Sequence, residues 1–196
     1  MSKIILITHQ KGGVGKSTLT FNLAQNISKN TKVAVLDFDL QGSLSQLSDM
    51  VTDFDIISFK GEIKDIEQLD FNFIFIDTPS YLSNHLPDLI ELADLIIVPT
   101  KAGILDLLAI KSTIELIEQQ KKTSQTLIVF NMIKANTTLT LDILIGLEEY
   151  NVNIANTHIS DLVSFTRSVL VKGVKHDKNA QKQIDNLTKE ILIKLI

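Results

Sequence analysis

Short runs of Ile, Val, Leu and Phe recur along this chain, separated by longer stretches in which apolar residues return every three or four positions. The runs at 3–8, 32–37, 54–58, 72–77, 94–98 and 125–131, and a weaker one at 152–156, predict strands. Several are apolar at consecutive positions, which suits parallel strands covered on both faces. The periodic segments between them predict helices at about 16–29, 43–49, 62–69, 83–92, 103–121, 138–149 and 178–195. Strand and helix alternating in this way predict an α/β fold with a doubly wound, mostly parallel sheet flanked by helices. In such a fold the ligand lies at the carboxyl ends of the strands.

Composition narrows the picture. With 196 residues and 44% hydrophobic content, the chain can bury one good core and is short for two, so one domain across residues 1–196 is expected. No internal repeat or low-complexity tract interrupts it. The absence of cysteine excludes thiolate zinc sites and iron–sulfur clusters. Neither a signal-peptide pattern nor an apolar run of roughly 18 residues is present, so a soluble, cytoplasmic protein is expected.

The chemistry begins directly behind the first apolar run. Residues 9–18 read His-Gln-Lys-Gly-Gly-Val-Gly-Lys-Ser-Thr. A strand entering a glycine-rich turn and then a helix aims successive backbone N–H groups at one point, where the helix N-terminus adds partial positive charge. A phosphate chain suits that point. Gly12, Gly13 and Gly15 lack a Cβ and let the backbone approach the phosphates closely. Lys16 is placed to neutralise the β and γ phosphates, and the Ser17 hydroxyl to hold Mg²⁺. Thr18, one residue into the helix, can reach the α-phosphate. The general pattern G-x-x-x-x-G-K-[ST] has Gln10 in place of its first glycine, and a second lysine stands at Lys11.

This segment resembles the deviant Walker A box of the ParA/Soj/MinD family of P-loop ATPases, most closely that of the short ParA partition proteins. The resemblance implies a P-loop NTPase fold, ATP and Mg²⁺ as ligands, and a signature lysine, here Lys11, that crosses a two-fold interface to the partner's nucleotide. Two nucleotide-loaded faces repel, and a cation given by each to the other's phosphates turns repulsion into attraction. The resemblance thereby names Lys11, Lys16 and Asp39 as catalytic, and Lys11, Gly12, Gly13, Val14, Gly15, Lys16, Ser17 and Thr18 as the nucleotide cradle.

Further motifs fall at strand ends. Asp37-Phe38-Asp39-Leu40-Gln41-Gly42-Ser43 resembles the family's D-x-D-P-Q-G-N box, with Leu40 replacing proline and Ser43 replacing asparagine. By that resemblance Asp39 positions the attacking water and Asp37 joins the Mg²⁺ hydration network. An unperturbed aspartate is a poor base, so Asp39 is read as an orienting group. Asp77-Thr78-Pro79-Ser80 resembles Walker B and switch II, with Asp77 holding a water on Mg²⁺ and the loop after it sensing the γ-phosphate. Ile104-Leu105-Asp106 resembles the loop that precedes the long helix of small ParA proteins, with Lys101-Ala102-Gly103 where they carry prolines. Asn131, closing an apolar strand, is a candidate for the adenine edge or for a turn.

Charge bears on what the nucleotide controls. The net charge is −4, which removes any general attraction to nucleic acid. Residues 160–196 nevertheless hold seven Lys/Arg against four acids, and Arg167 is the chain's one arginine. A dimer would present this patch twice and gain avidity for DNA. The final helix, with Ile184, Leu187, Ile191, Leu192 and Leu195 on one face, allows packing on the sheet or a MinD-like membrane grip, and packing is the stronger expectation because the helix lacks aromatics. The leading expectation is a partitioning ATPase: an ATP-dependent homodimer on nonspecific DNA, released when a ParB-like adaptor stimulates hydrolysis, and so nucleoid-associated. A MinD-like membrane ATPase and a biosynthetic P-loop ligase are the alternatives.

Overall fold

The computed structural model describes residues 2–39, 44–81, 84–134, 145–147 and 149–196. Its strands are β1 (Lys3–Ile7), β2 (Val33–Asp37), β3 (Asp55–Ser58), β4 (Phe73–Asp77), β5 (Leu95–Thr100), β6 (Thr126–Phe130) and β7 (Asn153–Ile154). They form one seven-stranded sheet in the order β3-β2-β4-β1-β5-β6-β7. Every pairing is parallel. The helices are α1 (Lys16–Ile27), α2 (Leu86–Leu92), α3 (Ile104–Gln119), α4 (Val163–Arg167) and α5 (Lys178–Lys194).

Alternation along the strands splits the core into two layers. Ile5, Ile7, Val35, Phe75, Ile97 and Val129 face α1 and α5, where they meet Leu19, Leu23, Ile184, Leu187 and Ile191. Ile4, Leu6, Leu36, Ile74, Ile96 and Ile128 face α2 and α3, where they meet Leu89, Ile90, Ile110, Ile114 and Ile117. The sheet is therefore sealed on both sides, and β1 lies at its centre. Strand register sets Ile7, Asp77 and Asp37 abreast at the carboxyl ends of β1, β4 and β2. This row is the floor of the site.

The expected elements differ from the observed ones where side chains supply little burial. The segments expected as α-helices at 43–49 and 62–69 are 3₁₀ turns, Ser45–Met50 and Ile63–Gln68. The first has no buried residue and the second buries only Ile66, so nothing rewards a full helical face. Helix α2 begins at Leu86, with Pro87 in its first turn, where a missing N–H costs nothing. The strand expected at 152–156 shrinks to two residues, and α4 was not foreseen because five residues are too few to show a period. The helix expected at 138–149 falls mostly outside the described residues, as do Leu40 to Ser43.

The apolar stripe of α5 is packed against the sheet: Ile184, Leu187 and Ile191 are buried, with Leu192 and Leu195 beside them. That face is unavailable for a membrane grip. Among the described residues no helix is long and apolar enough to cross a membrane.

Candidate nucleotide site

The loop after β1 reaches α1 through two left-handed glycines, Gly13 at φ 70° and Gly15 at φ 87°. Gly15 is needed twice over. Beyond its φ, a Cβ there would lie 2.3 Å from Asn131 Nδ2. Gly15 also stands at the N-cap of α1, which has no side-chain cap and no acid in its first turn. Helix α5 offers the contrast, since Asp177 accepts from Asn179 N–H and Ala180 N–H at its start. An uncapped helix start leaves N–H donors and positive partial charge for an anionic ligand.

Two lysines serve the loop in opposite senses. Lys16 is buried, and its ammonium donates to the carbonyls of His9 at 3.1 Å and Lys11 at 3.4 Å, folded across the loop's inner side. Burial lowers its pKa, against the attraction of Asp77 and Asp39. Lys11 turns away, its Nζ 2.5 Å from Asp106 Oδ1 in the first turn of α3. Its backbone N–H donates to His9 Nδ1 at 2.8 Å, and Gln10 N–H donates to Thr113 Oγ1 at 3.3 Å. The loop is thus fastened to α3.

The acids divide the work at the sheet's edge. Asp77 is fully buried, accepts a hydrogen bond from Ser17, and has Thr20 Oγ1 3.4 Å from Oδ1. Its Oδ2 has no protein partner. Burial pushes the Asp77 carboxyl up to about 7, against the Ser17 hydrogen bond and the Lys16 charge, with Asp37 and Asp39 adding to the rise. A buried, partnerless carboxylate oxygen beside a hydroxyl fits a hydrated divalent cation. Asp37 spends its oxygens on its own loop: Oδ1 accepts from Asp39 N–H at 3.0 Å, and Oδ2 accepts from Leu44 N–H, Ser45 N–H and Ser45 Oγ–H at 2.8–3.1 Å. Asp37 therefore closes the segment that carries Asp39. Among the described residues no group of three or more His, Cys, Asp or Glu is placed to hold a metal, so a cation here would lean on phosphate and water oxygens.

Asn131 lies on the other side of the loop, 5% exposed, donating from Nδ2 to the Val14 carbonyl at 2.8 Å and accepting Met132 N–H at Oδ1. Its amide is committed to the loop backbone, so in this structure it holds Gly15 and Val14 in place. Beside it a cavity of about 160 Å³ opens between α1, the end of β6 and residues 159–166, lined by Thr18, Met132, Ser160, Asp161 and Phe165 among others. The cavity lies at the end of the loop where Thr18 sits. The sequence reading missed this cavity, because its walls come from segments that only the fold brings together. It also missed what Asp106, His9 and Thr113 do here: Asp106 lies in a segment read only as the loop before the long helix, His9 opens the glycine-rich segment without a task of its own, and Thr113 carries no motif. All the expected cradle residues, Lys11 to Thr18, and the three acids Asp37, Asp39 and Asp77 do converge on one edge of the sheet.

A parallel sheet with this strand order, an uncapped helix behind a left-handed glycine and a buried lysine across the loop define a P-loop nucleotide-binding protein. The chain belongs to the family described as "CobQ/CobB/MinD/ParA nucleotide binding domain", which matches residues 5–190. It is similar to the maintenance of carboxysome distribution protein A of Halothiobacillus neapolitanus, 24% identical over 96% of this chain and 95% of that protein. A plasmid partition protein of Borrelia burgdorferi bound to AMPPNP shares the fold with a TM-score of 0.78 and 21% identity, covering 100% of both chains. The MinC:MinD cell division complex of Aquifex aeolicus shares it at a TM-score of 0.79 and 19% identity, covering 97% of this chain and 96% of that one.

Proposed function

We propose that this chain is a positioning ATPase of the short ParA kind, which binds Mg²⁺ and ATP, pairs with a second copy across the nucleotide, and distributes a cargo over DNA. The observation that carries the reading is the pair of lysines. Lys16 serves its own loop, while Lys11 stands on the loop's outer rim in an ion pair that a partner's phosphates can replace. Bound Mg²⁺–ATP supplies an electrophilic γ-phosphoryl group whose charge the metal partly neutralises. Ser17 and Asp77 are the residues to hold the cation, and Lys16 the β and γ oxygens. Asp39, fixed by Asp37 through its backbone N–H, would orient a water. With one orienting carboxylate and no strong base, hydrolysis is slow, which suits a timer.

DNA is the proposed surface for the paired state. Arg167, Lys172, Lys175 and Lys178 are all exposed around the α4–α5 turn, in a chain whose net charge is otherwise negative. An adaptor of the ParB kind would end the cycle by stimulating hydrolysis, and the relative named for carboxysome distribution makes a protein assembly a natural alternative to a plasmid as cargo. The ligase reading gains little. The broad groove beside Asp39, about 1190 Å³, is lined by Asp37, Asp39, Glu62, Glu67, Asp88 and Glu91 against Lys60 and Lys64, an unwelcoming field for an acidic acceptor.

The test is co-sedimentation of Asp39→Ala protein with random-sequence DNA and, separately, with anionic liposomes, in ATP and in ADP. DNA capture only in ATP, weakening steeply with salt, supports the reading. Capture by liposomes, or by neither, rejects it.

A further inference from the structure

We infer that Leu105 and Leu108 form the apolar contact through which two copies of this chain close over nucleotide; this rests on the dimer reading above and names its surface. Helix α3 packs on the sheet through Ile110, Ile114 and Ile117, all fully buried. Its outward stripe runs Leu105, Leu108, Lys111, Ser112, Glu115 and Glu118. Only the first two positions are apolar, and they are 75% and 66% exposed. Among the described residues, packing of α3 has no use for them, and a solvated stripe would place polar residues there as it does from Lys111 onward.

The occupant follows from what stands beside them. Asp106 lies between the two leucines in sequence, and its carboxylate holds Lys11. A lysine side chain spans only a few ångströms, so a partner whose phosphates receive Lys11 comes down over the first turns of α3. In a two-fold dimer the same patch arrives from both copies, and each copy's leucines are covered by the other. Apolar cover has a second effect. It excludes water around the Lys11–phosphate contact, where a charge pair in bulk solvent and salt counts for little. The contact is continuous with the nucleotide rim, so it forms only when the rim is filled.

The experiment compares the parent chain, Leu105→Ser/Leu108→Ser and Lys11→Ala by sedimentation velocity in Mg²⁺ with AMPPNP. A fluorescent ATP analogue measures nucleotide affinity, and thermal melting checks the fold. The double variant is expected to raise the dimer dissociation constant roughly thirty-fold or more. Measured at protein concentrations well below the parent's dimer dissociation constant, where only the monomer binds, nucleotide affinity should stay within about twofold of the parent, as befits exposed positions outside the cradle. Because the chain has no cysteine, Leu105→Cys supplies a single thiol for a second readout. Its alkylation should slow on adding AMPPNP, and should not slow when Lys11→Ala is also present. A parent that dimerises, with a double variant that dimerises equally well and a thiol alkylated at an unchanged rate, overturns this inference alone and assigns the leucines to another partner. A parent that stays monomeric in AMPPNP overturns the dimer reading and this inference with it.

Discussion

The ammonium of Lys11 and the carboxylate of Asp106 are 2.5 Å apart, with side-chain exposures of 36% and 13%, joining the rim of the phosphate loop to the first turn of α3. The two residues are far apart in sequence, and the fold alone makes them partners. Lys11 has to leave this pair before it can reach anything across an interface, so Asp106 competes with the partner's phosphates for the same cation. A partly exposed pair of this kind contributes about 1 kcal/mol.

Asp106→Asn removes the competing charge while keeping the side chain's shape. The expected outcome is a tighter nucleotide-dependent dimer, by about three- to tenfold, read by sedimentation equilibrium. Lys11→Ala, in contrast, should lose the dimer while sparing some of the nucleotide binding. An Asp106→Asn dimer weaker than the parent's would mean that the carboxylate belongs to the interface and does not restrain the lysine.

The two left-handed glycines of the loop separate strain from space. At Gly13 a Cβ meets nothing within 4 Å, so Gly13→Ala carries only the backbone cost of φ 70°. That cost is about 1–2 kcal/mol. At Gly15 the same strain is joined by a collision with Asn131 Nδ2 at 2.3 Å. Gly15→Ala is therefore expected to destabilise by more than Gly13→Ala, by at least about 1 kcal/mol in urea unfolding, and to abolish nucleotide binding. Equal losses at the two positions would show that Asn131 moves aside freely.

These glycines also mark how far the sequence could be read. The loop, the strand before it and the helix after it were legible because each local choice agreed with the others: an apolar run, glycines where φ is positive, then α1 with its buried Leu19, Leu23 and Ile27. Asp37 and Asp77 were legible as strand-end acids, and parallel register sets them side by side. What could not be read depends on contacts between distant segments. Nothing in the residues around Asp106 points to Lys11, nothing near Asn131 points to Val14, and the cavity by Thr18 needs residues 159–166 folded against α1. The overestimated helices at 43–49 and 62–69 fail for the complementary reason: their local pattern permitted a helix, and the fold gave them almost nothing to bury.

Asn131 supplies the next prediction. Its Nδ2 donates to the Val14 carbonyl and its Oδ1 accepts Met132 N–H, both in a buried setting. Asn131→Asp keeps the acceptor and sets a carboxylate against a carbonyl oxygen, with no donor between them. The expected loss is about 2–3 kcal/mol of stability, with a drop in nucleotide affinity of tenfold or more, measured by urea titration and by fluorescent-nucleotide binding. Asn131→Ala, which leaves the Val14 carbonyl unpaired without repulsion, should fall between the parent and Asn131→Asp. If Asn131→Asp bound nucleotide as the parent does, the amide would not be what shapes the loop.

His9 makes the fold sensitive to acid. It is fully buried, its Nδ1 accepts Lys11 N–H, and its Nε2 has no partner. Because Nδ1 accepts, the neutral ring carries its proton on Nε2. Burial pulls its pKa down from 6.5 to about 4, helped by the charges of Lys16 and Lys11 and opposed by Asp106. A depressed histidine pKa means that the unfolded chain binds the proton more readily than the folded one. Stability is unaffected by this group above pH 6.5, and falls as pH drops from 6.5 through about 4. The full effect is on the order of 3 kcal/mol. His9→Asn removes the titration and leaves an oxygen able to accept Lys11 N–H, while Asp77 and the remaining acids titrate in both proteins. The difference in unfolding free energy between parent and His9→Asn, taken by urea titration in EDTA at pH 7, 6, 5 and 4, is therefore expected to shift steadily against the parent as pH falls. A difference that stays constant across that range would show that the buried imidazole accepts its proton without cost.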